Sequence, residues 1–67
     1  MPDIAIESEE PGRISIWAGN LRRTYIWQDG KAKCVSEFSR YRYHPSARPD
    51  ELIEQADKLA REWFAAR

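Results

Sequence analysis

The sequence predicts an α+β domain: a three-stranded antiparallel meander, with residues 4 to 7 available as a short fourth strand at the N-terminal side, and one C-terminal helix packed on one face. Three observations lead there. Two β-favouring runs, 23–28 and 31–35, meet at Asp29-Gly30, the strongest short-range hairpin signal. A second turn, Gly19-Asn20, implies the same in-and-out parity as the first. Beyond Pro49, apolar residues recur at helical spacing.

A two-residue type I′ loop at Asp29-Gly30 pairs Gln28 with Lys31, Trp27 with Ala32, Tyr25 with Cys34 and Thr24 with Val35. Cross-strand partners share a face, so Tyr25, Trp27, Ala32 and Cys34, continuing to Phe38, form the core side. Thr24, Ile26, Gln28, Lys31, Lys33, Val35 and Glu37 form the other. The competing reading is a three-residue loop, Gln28-Asp29-Gly30, which turns Tyr25 and Trp27 away from Ala32 and Cys34.

Taken in order, Ile4-Ala5-Ile6-Glu7 alternates and offers the short first strand, ended by 8–12, where Pro11-Gly12 signals a turn. Arg13 to Ala18 alternates with period two, placing Ile14, Ile16 and Ala18 opposite Arg13, Ser15 and Trp17. Gly19-Asn20 suits a type II′ loop and pairs Ala18 with Leu21, Ile16 with Arg23 and Ile14 with Tyr25. A third meander strand runs from Ala32 to about Ser39. Arg40-Tyr41-Arg42-Tyr43 then alternates cation and aromatic before Pro45 and Pro49 break the ladder. From Pro49 to Arg67 the spacing predicts a helix with Pro49 at its first position and Asp50 and Glu51 at the positive end of its dipole. Its apolar stripe is Leu52, Ile53, Ala56, Leu59, Ala60, Trp63 and Phe64, with Trp63 and Phe64 as heavy anchors. Asp57 and Arg61 fall on its polar face as an i,i+4 pair.

Residues 1–67 read as a single domain, near the length at which burial only just offsets chain entropy. Three Trp, three Tyr and two Phe supply its core, and 33% charged residues with 42% hydrophobic ones indicate a soluble globule. A lone Cys34 excludes an internal disulfide. No run is apolar enough to span a bilayer, and Met1-Pro2-Asp3 lacks the basic start and apolar core of a secretory signal; no membrane partner and a cytoplasmic location are expected. Net charge is zero but uneven: residues 1–12 hold four acids and no base, 13–48 eight bases against two acids, and 49–67 five acids against three bases.

Chemistry that needs a constellation finds none. One Cys and one His ten positions apart do not make a metal site, Cys34 reads as a small core residue without a partnered base, and the three glycines each belong to a turn rather than to a phosphate loop. No enzyme and no cofactor are expected. The informative surface is the sheet face turned from the helix, where Arg13, Trp17, Arg22, Lys31 and Lys33, extended by Arg40, Tyr41 and Arg42, combine cations with stacking groups. These eight are the candidate nucleic-acid-binding residues, for DNA or RNA. The alternative is a small protein-interaction module, a homodimer, adaptor or inhibitor of a larger complex, using Trp17, Ile26 and Val35 or an edge strand. The alternative to an exposed Trp17 is cover by Ile4 and Ile6, if these pair as a fourth strand. An ordinary water-exposed strand face, its lysines discouraging aggregation, is the plainest account of the same residues.

In element order over residues 13 to 67, strand, strand, strand, helix with a basic open face, the chain resembles the three-stranded-sheet DNA readers: the plant AP2 domain and the arm-binding domains of some phage-type integrases. The likeness implies DNA reading by the sheet. Those families' sequence motifs do not occur here, so it assigns no residue a role.

Overall fold

The computed structural model describes residues 3–40 and 49–66. Strands β1 (Ile4–Glu10), β2 (Arg13–Ala18), β3 (Leu21–Gln28) and β4 (Lys31–Ser39) form one antiparallel sheet in the order β1-β2-β3-β4, followed by helix α1 (Asp50–Ala65). The expected fourth strand is therefore present, and it runs through Glu10 rather than ending at Glu7.

All three hairpin turns have two residues. Asp29 and Gly30 both take positive φ, 55° and 76°, as a type I′ turn requires, and Gln28 pairs with Lys31. Gly19 takes φ 63° and Asn20 does not share the positive region, which fits type II′; Ala18 pairs with Leu21 and Ile14 with Tyr25, as expected.

The register departs from expectation at two bulges. Between Thr24 and Tyr25 the β3–β4 ladder slips by one residue, so Thr24 faces Ser36 rather than Val35. One inserted residue inverts the parity of everything beyond it. Phe38 accordingly pairs with Arg22 on the face away from α1 and is 50% exposed, where the core had been expected, while Glu37 moves to the helix face opposite Arg23. The second bulge lies between Ile6 and Ser8. Ile4 and Ile6 pair with Ala18 and Ile16 and so sit on the helix face; Ala5, not an isoleucine, stands opposite Trp17. The alternative in which they cover Trp17 is therefore not realised.

Six registered rows cross the whole sheet. On the helix face these are Ile4–Ala18–Leu21–Ser39, Ile6–Ile16–Arg23–Glu37 and Glu9–Ile14–Tyr25–Cys34; on the other face, Ala5–Trp17–Arg22–Phe38, Ser8–Ser15–Thr24–Ser36 and Glu10–Arg13–Ile26–Lys33. Ile14, Ile16, Ala18, Leu21 and Tyr25 are buried against Ile53, Ala56 and Ala60 of α1. The two fully buried alanines, one turn apart, bring the helix backbone close over the sheet, mainly over β2. Pro49 caps the helix rather than opening it, with Ile53 N–H donating to its carbonyl at 2.9 Å. Trp63 and Phe64 are only half-buried, and Trp27, on the core side by register, is 51% exposed.

Ile16→Ala should cost about 2–5 kcal/mol, the range for large-to-small change at a sealed core site. A Cβ at Gly19 would meet Leu52 Cδ1 at 3.1 Å, whereas one at Gly12, also at positive φ, meets nothing. Gly12→Ala should therefore cost about 1–2 kcal/mol for its backbone alone, and Gly19→Ala more; urea unfolding of the two variants checks the order.

Candidate nucleic-acid interface

The face away from α1 consists of two ridges and a floor. The floor is the row Ser8–Ser15–Thr24–Ser36, four hydroxyl side chains across all four strands. In its centre the buried Ser15 and Thr24 hydroxyls hydrogen-bond to each other at 3.0 Å, which satisfies both.

On one side of the floor lie Arg13 and Lys33, with Ile26 between them; at the strand spacing of a sheet their Cα atoms are about 10 Å apart. Lys31 extends this group at the β3–β4 turn. All three cations are exposed.

On the other side the guanidinium of Arg40 lies 4.5 Å from the Trp17 ring centroid, and that of Arg22 lies 5.9 Å from Trp17 and 5.1 Å from Phe38. Arg40 is held there by its amide, which donates to the Asn20 carbonyl at 2.9 Å. Arg22 also donates to Glu7, the residue at the β1 bulge, at 3.3 Å to both carboxylate oxygens. Such stacking of arginine on aromatic faces fixes the side chains and leaves their charge in place.

The structure thus brings Trp17, Arg22 and Arg40 together and sets Arg13, Lys31 and Lys33 across the hydroxyl row from them. Tyr41 and Arg42 lie outside the described residues. Phe38 belongs to this face and was missed, because only the Val35 bulge puts it there. Trp17, Ile26 and Val35 do not make one apolar patch: Trp17 and Ile26 stand in rows on opposite sides of the floor.

A second polar cluster lies under the helix. Arg23, on the helix face, donates from Nε to the Tyr25 hydroxyl at 2.7 Å, from Nη2 to Asp57 at 3.4 Å and from Nη1 to Glu37. The Tyr25 hydroxyl in turn donates to Asp57 Oδ1 at 2.5 Å. Asp57 therefore reaches the sheet as the partner of Tyr25 and Arg23, although about a third of its side chain stays exposed. Burial, then the bond to Asp57, raises the Tyr25 hydroxyl pKa well above the ordinary tyrosine range, partly opposed by the Arg23 charge.

Among the described residues no group of three or more His, Cys, Asp or Glu is placed to hold a metal ion, and no helix is long and apolar enough to cross a membrane. Compared with protein-family models, curated proteins and solved structures, the chain shows no significant similarity to any of them.

The raised Tyr25 pKa has a definite sign in stability. The unfolded chain loses this proton near pH 10, the folded chain keeps it to higher pH, and so the contribution is complete below about pH 10 and declines as pH rises through the folded value. Tyr25→Phe should cost about 1–2 kcal/mol at neutral pH through the lost hydrogen bonds, and should flatten the alkaline decline seen when urea midpoints are measured from pH 8 upward.

Proposed function

We propose that this protein is a small non-catalytic module that binds nucleic acid through the sheet face opposite α1. The observation that carries the reading is the grouping of Arg13, Arg22, Lys31, Lys33 and Arg40 on one face with a half-exposed Phe38. Cations there meet phosphates and supply affinity without sequence preference. Phe38, half exposed with one arginine on its ring, is a more accessible platform for a base than Trp17, which carries two. Stacking on an exposed ring needs an unpaired base, which favours single strands over duplex. Glu7 and Glu10 place negative charge along β1, so the track for a strand runs over β2, β3 and β4.

A protein-interaction role draws support from Val35 and Phe38, both about half exposed on β4. An edge strand is the weaker part of that alternative. Both edge strands are bulged, and β4 carries Lys31, Lys33 and Glu37, features that hinder pairing with another chain.

Amide chemical shifts followed during titration with an oligothymidylate and with a duplex of equal length test the reading. Shifts at Lys31, Lys33, Phe38 and Arg40, stronger for the single strand and fading with salt, are expected. Lys33→Ala should reduce the salt slope by about one, and Phe38→Ala should lower single-strand affinity by about 1–3 kcal/mol while leaving the fold intact. No binding at low salt would sink the proposal and leave the protein-interaction role in its place.

A further inference from the structure

The bulge in β4 does more than displace Phe38. It sets three residues of one edge strand in line on the face away from α1: Lys33, Ser36 and Phe38, whose partners on β3 are Ile26, Thr24 and Arg22. With an unbroken ladder, Ser36 and Phe38 would turn to the helix side, and Lys33, Val35 and Glu37 would share the open face. Bulges commonly re-aim side chains beside functional sites. The residues re-aimed here are a hydroxyl and a ring, placed in line with a cation.

Ser36 and Phe38 lie about 7 Å apart at the rise of a strand, and Lys33 stands one row back on the other side of the serine. All three are exposed. Among the described residues neither the Lys33 ammonium nor the Ser36 hydroxyl has a hydrogen-bond or ion-pair partner. The order along the strand is therefore cation, hydroxyl, ring. The four-hydroxyl floor singles out the same serine. Ser15 and Thr24 are more than nine-tenths buried and bonded to each other, and Ser8 is half-buried on the acidic strand β1; only Ser36 of the four is exposed.

A nucleotide has its parts in the same order: phosphate, sugar, base. Of the cations that β3 and β4 present on either side of Ser36, Lys33 holds no carboxylate, whereas Arg22 is paired with Glu7 and lies on the Phe38 ring. The phosphate therefore falls to Lys33 and the base to Phe38, which leaves the sugar over Ser36. A serine hydroxyl donates and accepts, as a ribose 2′-hydroxyl does; a deoxyribose offers only a methylene there. We infer that the sheet face takes single-stranded RNA in preference to DNA, with Ser36 reading the ribose 2′-hydroxyl. This selectivity rests on nucleic-acid binding by the face and is carried by a residue outside its cationic and aromatic contacts.

Oligouridylate and oligodeoxyuridylate of equal length, which differ only in the 2′-hydroxyl, are the probes, with affinities measured by fluorescence anisotropy at one low salt concentration. The ribo-oligomer is expected to bind about three- to tenfold more tightly, the worth of one net hydrogen bond. Ser36→Ala, at an exposed position, should bring that ratio to about one. It should do so by weakening the ribo-oligomer and leaving the deoxy-oligomer as it was, which also shows the variant folded. Lys33→Ala should weaken both alike and keep the ratio, because a phosphate contact carries no information about the sugar. Equal binding of the two oligomers by the unaltered protein, or a ratio that survives Ser36→Ala, overturns the inference and leaves the nucleic-acid reading standing. If neither oligomer binds at low salt, the nucleic-acid reading itself fails, and ribose selection with it.

Discussion

The hydroxyl of Tyr25 is the point on which the two layers of this protein are aligned. It accepts from Arg23 on the sheet and donates to Asp57 on the helix, and its ring is sealed at 2% exposure between them. The apolar contact around it is made by small residues, Ala18, Ala56 and Ala60, over Ile14 and Ile16. Alanines permit close approach but fix a helix's rotation and axial position poorly, since a flat, featureless contact tolerates sliding. A directional hydrogen bond at the centre of the interface removes that freedom. It costs the desolvation of a guanidinium, which Asp57, Glu37 and Tyr25 together offset. With the helix registered at Asp57, its last turn reaches the margin of the core, where Phe64 meets Trp27 and Trp63 meets Glu9.

Much of this was legible in the chain because turns and alternation are local signals. Asp29-Gly30 and Gly19-Asn20 demanded specific backbone conformations, and each demand implied the same inward set, so Ile14, Ile16, Ala18, Leu21 and Tyr25 were placed correctly without any long-range information. The helix stripe followed from spacing alone. What failed was parity past residue 34. Nothing in Cys34-Val35-Ser36 marks a bulge; it arises from the twist of an edge strand and from pairing that leaves Glu37 beside Arg23. Phe38 was lost from the candidate face for that reason, and Glu37 was wrongly put there. Asp57 failed differently. On a helical wheel it is an ordinary polar position with Arg61 four residues on, and only the position of Tyr25 across the interface gives it a task.

The zero net charge conceals a division of labour between surfaces. The basic middle of the sequence supplies β2 to β4 and populates the face away from α1. The acidic first segment supplies β1, whose side chains go three ways: Glu7 to Arg22, Glu9 to the Trp63 indole at the end of α1, and Glu10 to the margin of the face away from α1. Alternation along β1 and its bulge are what distribute one acidic run over both faces of the sheet. A strand at the edge of a sheet, paired on one side only, is the element best able to do this.

The sequential strand order also governs how the molecule is assembled in time. Each strand pairs only with its neighbour in the chain, across turns of two residues, so loop closure costs little entropy and the sheet is reached through short-range steps. The helix arrives last, from the far side of the segment after Arg40. During synthesis the first forty residues can pair while α1 is still to be made. Ile14, Ile16 and Tyr25 are then bare to solvent on one face of a finished sheet, while its irregular, charged edges hinder pairing with another chain.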